Sequence, residues 1–205
     1  MNDPTENTDT PNEESLTRTR AKLSFLFLMS VAPFFLAYVF FFVKPDWIPT
    51  GTTNQGELIL PPVQANEAGI DHKGLFEGDR WILVIPVGAA CDDGCVEALY
   101  LSRQVKTALG KESNRIERVV LSSASSLTEE FAELLGQEHR YARLVFNSGP
   151  PINDLIAPAL GQTPAGSYIL LMDPNGNIMM FYNLEKAGKP MLKDIKLLLK
   201  ASNIG

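Results

Sequence analysis

The fold of this chain is indicated by the stretch Trp81–Val96, WILVIPVGAACDDGCV. Its first seven residues form an apolar run typical of a buried strand, with Pro86 marking an end or a bulge. Cys91 and Cys95 follow, and they are the only two cysteines among 205 residues. The next segment, residues 97–109, has the pattern of a helix. Two thiols are therefore predicted at a strand-to-helix junction.

The segments after this junction alternate between strand-like and helix-like patterns. Strands are predicted over residues 116–121, 143–146, 167–172 and 177–182. Helices are predicted from a capping-box sequence at Ser126 to Glu138 and from Pro190 onward, and residues 150–161 read as a loop with one helical turn. The turn signal DPNG at 173–176 joins the last two strands into a hairpin. This order predicts an α/β domain with a mixed sheet flanked by helices, and it resembles the thioredoxin fold.

A membrane segment is predicted over residues 23–43, LSFLFLMSVAPFFLAYVFFFV, which contains no charged residue. Its length suffices to span a bilayer, which takes about 20 apolar residues. A cleaved signal peptide is the alternative, but its hydrophobic core is normally shorter. The only small-x-small sequence nearby, Ser30-Val-Ala32, is followed by Pro33 and further apolar residues. We therefore expect one uncleaved N-terminal transmembrane helix.

The basic residues that flank this segment predict its orientation. Arg18, Arg20 and Lys22 precede it, whereas only Lys44 closely follows it. The N-terminus is therefore expected in the cytoplasm and the C-terminal domain outside it, so that the chain is a single-pass protein of the inner (cytoplasmic) membrane with a periplasmic domain.

Four regions are expected along the chain. Residues 1–22 are polar and predict a disordered cytoplasmic tail, and residues 23–43 form the transmembrane helix. Residues 44–74 read as a linker or extended arm, and residues 75–205 as the thioredoxin-like domain. The net charge of −6 gives no electrostatic support for a nucleic-acid partner.

The two cysteines have the spacing of a redox pair. Residues i and i+4 of a helix are separated by a rise of about 6 Å, within the range that a disulfide bridges. A helix start favours the thiolate of Cys91, whereas the charges of Asp92 and Asp93 oppose it. These opposing effects predict a slow, specialised thiol exchanger.

Metal binding and a structural disulfide are the alternatives. Two thiolates suit Cu(I), whereas zinc would need two more ligands. His72 is the candidate third ligand if its segment folds back toward the cysteines, and His139 reads as a solvated surface residue. Met172, Met179 and Met180 read as packing residues. Export would favour a structural disulfide, but so short a loop contributes little stability, which favours a functional dithiol.

Within the thioredoxin fold, the chain resembles the Sco family of cytochrome oxidase assembly proteins over roughly residues 52–200. The resemblance rests on the single anchor, the C-x-x-x-C after the first core strand and the sequence Tyr168-Ile-Leu-Leu-Met-Asp-Pro-Asn-Gly176. Asp92 and Val96 stand where the family usually has prolines. The family's copper-binding histidine would lie near Ala165, and no histidine occurs between residues 150 and 205.

This resemblance implies a role in cytochrome c oxidase assembly, by thiol–disulfide exchange or by copper handling. In thiol exchange, Cys91 would attack a partner disulfide and Cys95 would resolve the intermediate. The alternatives are a Cu(I) chaperone with Cys91, Cys95 and an unconventional third ligand such as His72, and a non-catalytic assembly factor with a structural disulfide. The implied partner is an oxidase subunit or another assembly factor. Pro164 is a candidate for the cis-proline that faces the thiols in thioredoxin folds.

Overall fold

The structure is a computed structural model that describes residues 13–39, 42, 53–75, 79–160 and 167–202. The chain divides into two compact units, residues 1–53 and residues 54–205.

The first unit contains the helix α1, Glu13–Tyr38, whose large apolar side chains between Leu23 and Tyr38 are exposed. Its segment Thr17–Tyr38 is long and apolar enough to cross a membrane once. The predicted span continues to residue 43, but residues 40, 41 and 43 lie outside the described part. Residues 13–22, which were expected to be disordered, are helical. They include Glu, Leu, Arg, Ala and Lys, which are good helix formers, and a helix extends at low cost once it has nucleated.

The second unit is built on a six-stranded sheet. Its strands are β1 (Glu57–Gln64), β2 (Trp81–Val87), β3 (Ile116–Ser122), β4 (Arg143–Phe146), β5 (Tyr168–Met172) and β6 (Asn177–Asn183). The strand order across the sheet is β1-β6-β5-β2-β3-β4. The strands β2, β3 and β4 are parallel, whereas β1, β5 and β6 pair antiparallel with their neighbours. The predicted mixed sheet and thioredoxin-like fold are confirmed.

Five α-helices are described in this unit. They are α2 (His72–Leu75), α3 (Asp93–Ala108), α4 (Glu129–Glu138), α5 (Ile152–Leu160) and α6 (Lys189–Ala201). One 3-10 helix, Gly110–Arg115, leads from α3 into β3.

The sheet is buried on both faces, which explains the continuous apolar run of β2. Leu83 and Ile85 belong to the apolar cluster that includes residues of α3, α4 and α6. Ile82 and Val84 belong to the cluster on the other face, with residues of α5 and β1. Alternate residues of β2 thus supply the two cores of the domain.

The compact unit begins at Asn54 rather than at the predicted Leu75. Residues 57–64 of the segment expected to be an extended arm form the edge strand β1, which pairs antiparallel with β6. The register shifts between Leu58 and Val63, so Pro61 and Pro62 fall where ladder pairing is interrupted. Prolines are tolerated at such positions of an edge strand.

Three further local predictions are corrected. Residues 152–160 form the helix α5, in which Ile152, Ile156 and Leu160 are buried along one side despite Pro158. The helix α4 starts at Glu129, because Thr128 rather than Ser126 is its N-cap and accepts a hydrogen bond from the Phe131 N–H. The strand β2 continues through Pro86. Proline has no N–H group to donate, and this is tolerated here because β2 pairs with β5 only over residues 82–84.

Candidate functional site

The two cysteines lie where β2 leads into α3. β2 ends at Val87, the helix begins at Asp93, and Cys91 lies in the connection between them. A disulfide joins Cys91 to Cys95, with their Cα atoms 5.2 Å apart. The site is therefore at the carboxyl end of β2, beside the end of the parallel strand β3.

The two sulfurs differ in accessibility. Cys95 is 2% exposed and belongs to the main apolar cluster with Ala98 and Leu99. Cys91 is half-buried and packs against the edge of this cluster. A reagent or partner protein therefore has access to Cys91 first.

Asp92 is the N-cap of α3, a role that the sequence analysis missed. Its Oδ1 atom accepts a hydrogen bond from the backbone N–H of Cys95, at 2.8 Å. Aspartate is one of the preferred residues directly before the first residue of a helix, so the sequence did contain a signal for this cap. One of the N–H groups that would otherwise favour a thiolate at this helix start is thus already occupied.

Gly94 packs directly against the residue that precedes β5. A Cβ atom added to Gly94 would lie 2.5 Å from the Ser167 Oγ atom. The first turn of α3 therefore tolerates no larger side chain at this position unless Ser167 moves. Ala165 and Pro164 precede Ser167 in the sequence, but both lie in residues 161–166, outside the described residues. The predicted cis-proline stays a prediction.

Small and apolar residues surround the disulfide at the surface. Gly88, Ala89 and Ala90 are exposed in the connection that leads to Cys91. Val96 and Tyr100, one turn apart on α3, are 41% and 49% exposed. The surface around the disulfide thus offers some apolar contact area beside the exposed carboxylates of Asp92 and Asp93.

His72 does not lie near the cysteines, so its predicted role as a third metal ligand is not supported by its position. It lies in α2 with its ring packed on Gly176, in the turn between β5 and β6. That turn follows Met172, which pairs with Ile82 at the start of β2. The length of β2, about 20 Å, therefore separates this turn from the cysteine end. Short-range sequence signals cannot show at which end of a sheet an arm docks.

The described residues hold no group of three or more His, Cys, Asp or Glu side chains that could bind a metal ion. Met172 and Met180 are buried, and Met179 packs against the main apolar cluster, which agrees with the predicted packing role.

His139 was expected to be solvated, but it is 3% exposed. Its Nδ1 atom lies 3.3 Å from Arg118 Nη2, which can donate to it. Burial, followed by the charges of Arg118 and Arg103, lowers the His139 pKa to about 4. The imidazole is therefore neutral at physiological pH.

Comparison with known proteins identifies a family model that matches the domain. The family model described as "Transmembrane-like, thioredoxin-like, C-terminal domain" matches residues 81–202. No curated protein sequence matches the chain.

Similar solved structures include two Sco proteins and one oxidoreductase. Yeast Sco1 with copper bound is 15% identical, with a TM-score of 0.47 over 64% of this chain and 84% of that one. Copper-bound ScoI from Bradyrhizobium japonicum is 18% identical, with a TM-score of 0.42 over 71% and 99%. The thioredoxin domain of a thiol-disulfide oxidoreductase from Bacteroides vulgatus is 18% identical, with a TM-score of 0.40 over 59% and 80%.

Similarities at this level concern the fold, not a ligand or a reaction. The family model covers more than half of the chain, from the first residue of β2 to the end of α6. The protein therefore belongs to the family of transmembrane-like proteins with a thioredoxin-like C-terminal domain.

Proposed function

We propose that the protein is a membrane-anchored thiol–disulfide exchanger whose exported domain acts through Cys91 and Cys95. The observation that carries this proposal is the disulfide between a half-buried and a buried cysteine at the junction of β2 and α3. The exposed small and apolar residues around it support contact with a polypeptide partner.

The exchange transfers two electrons to a partner disulfide. In the reduced protein, the Cys91 thiolate attacks one partner sulfur, which forms a mixed disulfide and releases the other partner sulfur as a thiolate. The Cys95 thiolate then attacks the Cys91 sulfur and releases the first partner sulfur. The partner ends as a dithiol and this chain as the Cys91–Cys95 disulfide, which a second, external dithiol must reduce again.

The proposed biological setting is cytochrome c oxidase assembly. This part of the proposal rests on the resemblance of the anchor, the C-x-x-x-C and the hairpin sequence to Sco proteins. The partner would be an oxidase subunit or another assembly factor that presents oxidised copper-binding cysteines. The domain would lie on the periplasmic side of the inner membrane.

Copper handling is the second candidate function. It is favoured by the closeness of the two sulfurs, since a pair of thiolates suits Cu(I) after reduction. His72 lies against Gly176 and His139 against Arg118, so neither described histidine supports an imidazole ligand for this pair. Thiol exchange is therefore preferred.

Trapping of the mixed disulfide tests the proposed roles of the two cysteines. Full-length protein in detergent would be reduced, freed of reductant and treated with oxidised glutathione, with mass spectrometry as the readout. Cys95→Ser should retain glutathione on Cys91, because no resolving thiol is present. Cys91→Ser should react at least about tenfold more slowly, because Cys95 is buried. Equal rates for the two variants would contradict the assigned roles.

A Cu(I) competition assay separates the two candidate functions. The reduced wild type and Ala165→His, each with a Cys91→Ser counterpart, would compete with a chromophoric Cu(I) chelator. Thiol exchange as the main role predicts weak retention of Cu(I) by the wild type and tighter, Cys91-dependent retention by Ala165→His. Tight binding by the wild type that Ala165→His does not improve would favour copper handling through another ligand.

A further inference from the structure

Arg118 is a buried cation with no acidic partner in the described part of the chain. It lies on β3 and is 3% exposed. Its Nε atom donates to Ser102 Oγ at 3.0 Å, and its Nη2 atom donates to the Leu99 carbonyl at 2.9 Å. These partners and His139 are all neutral. A buried charge normally has a counter-ion, so this arrangement needs an explanation.

Arg118 borders a cleft of about 520 Å³ between α3, the start of β3 and the C-terminal end of α4. This volume is within the usual range of small-molecule sites. Among the described residues, Arg118 Nη1 has no hydrogen-bond partner, and the guanidinium lines the cleft. The cleft thus presents a donor that protein groups leave unused.

A second arginine lines the same cleft. Arg103 donates to the Glu138 carbonyl at 2.8 Å and lies over the ring of Tyr100, but no carboxylate in the described residues pairs with it. Burial, followed by the nearby positive charge of Arg103, lowers the Arg118 pKa to about 10. Two guanidinium groups therefore repel each other across one cleft, and an anion between them would relieve this repulsion.

The acidic side chains of the cleft do not neutralise this pair. Glu117 is held by Arg80 at 2.5 Å and by Lys106 at 2.6 Å, one contact to each carboxylate oxygen. Glu138 is exposed, and it is the backbone carbonyl of this residue that contacts Arg103. The cleft is thus locally basic in a chain of net charge −6.

We propose that this cleft binds a small anion whose carboxylate or phosphate group is held by Arg103 and Arg118. Guanidinium groups match both oxyanions in geometry, and charge-assisted hydrogen bonds of this kind are the stronger ones. The neutral His139 ring and the exposed ring of Tyr141 offer surface for an apolar body attached to that group. Arg118 lies opposite Leu83, four residues before the end of β2, so the site is about 13 Å from the disulfide end of the sheet.

Isothermal titration of full-length protein in detergent tests the proposal, at fixed ionic strength in chloride buffer. The probes are inorganic phosphate, benzoate and phenyl phosphate. Saturable binding of one probe molecule per chain is expected for at least one of them. Preference for phosphate would identify a phosphate ligand, whereas preference for benzoate would identify a carboxylate with an apolar body.

Variants connect the binding to the two arginines. Arg103→Gln, at a partly exposed position, should weaken binding at least about tenfold. Arg118→Lys should also weaken it, because an ammonium group cannot form the two parallel hydrogen bonds of a planar guanidinium. Glu138→Gln should strengthen binding, and Lys196→Gln, which removes an exposed positive charge on α6, should leave it unchanged. No saturable binding of any probe up to about 10 mM, or equal affinity in Arg103→Gln and the wild type, would overturn the proposal.

Discussion

Asp92 acts on the site in two opposing ways. Its carboxylate caps α3 through the Cys95 N–H, which fixes the first turn of the helix that carries the disulfide. The same carboxylate places a negative charge next to Cys91, and Asp93 adds a second. Both charges oppose formation of a thiolate at Cys91, so the fold gains a cap while the reduced thiol becomes less reactive.

Replacement of both aspartates by asparagine should therefore activate the reduced thiol. Asp92→Asn/Asp93→Asn removes the charges and keeps a side chain that can cap the helix. The rate of Cys91 alkylation at neutral pH should rise a few-fold, because more of the thiol is ionised. Peptide mapping of the alkylated protein measures this rate, and Glu185→Gln, at an exposed position after β6, is the control. An unchanged rate would show that solvent screens both carboxylates.

His139 makes the stability of the domain depend on pH. Its pKa is lowered to about 4 in the folded protein, whereas a histidine in the unfolded chain titrates near 6.5. Below pH 6.5 the unfolded chain binds a proton that the folded protein does not bind. The stabilising contribution is therefore complete above pH 6.5 and is lost as the pH falls toward 4.

Urea unfolding at pH 7 and pH 5 measures this effect. Between these values the wild type should lose about 1–2 kcal/mol more of its free energy of unfolding than His139→Gln, which cannot titrate. Arg140→Gln, next in the sequence and exposed, should behave as the wild type does. Parallel losses in the wild type and His139→Gln would contradict the burial of a neutral imidazole.

At the residue scale, features that depend on residue spacing within one short segment could be predicted from the sequence. The two cysteines, the turn at 173–176 and the packing methionines are of this kind. The positions of His72 and His139 depend on where α2 docks and on which side chains cover the end of α4. Contacts between segments far apart in the sequence determine both, and the sequence contains no short-range signal for them.

At the scale of elements, one buried carboxylate binds the two residues that lead into the strand β1. Asp194 on α6 is 3% exposed and accepts hydrogen bonds from the backbone N–H groups of Gln55 and Gly56, at 2.7 and 2.9 Å. The Tyr182 hydroxyl donates to the same oxygen at 3.1 Å. This cluster connects the residues just before β1 to α6 and β6.

Removal of this carboxylate should detach the start of β1. Asp194→Ala removes the charged acceptor of the buried Gly56 N–H and of the part-buried Gln55 N–H, and we expect a loss of about 2–4 kcal/mol in the free energy of unfolding. Hydrogen exchange should show loss of protection in residues 57–64 before the rest of the sheet. Glu185→Ala is the matched control on the surface. Full protection of β1 in Asp194→Ala would contradict the role of the cluster.

The elements that the sequence predicted well are those with long apolar runs. The strands β2, β3, β5 and β6 and the helices α3 and α6 belong to this group. The strand β1 and the helix α5 were missed because each contains prolines, which are local signals against regular structure. In both cases tertiary contacts override this signal, through pairing with β6 for β1 and through a buried apolar side for α5.

At the scale of the whole molecule, the orientation in the membrane determines which redox environment the disulfide meets. The excess of basic residues before the apolar segment 23–43 predicts an exported domain. Alkaline phosphatase fused after Gly205 should be active, and a fusion of a cytoplasm-dependent reporter at the same position should be inactive. Replacing Arg18, Arg20 and Lys22 by glutamine should reduce the phosphatase signal. The reverse pattern would place the domain in the cytoplasm.

The proposed function requires that the Cys91–Cys95 disulfide is a reversible redox pair rather than a permanent bridge. Equilibration of full-length protein in detergent with graded ratios of reduced to oxidised dithiothreitol, followed by quantitative trapping of free thiols, gives its reduction potential. A reversible exchanger predicts a single two-electron transition between about −120 and −270 mV. A potential below about −300 mV would identify a structural disulfide and would contradict the proposed function.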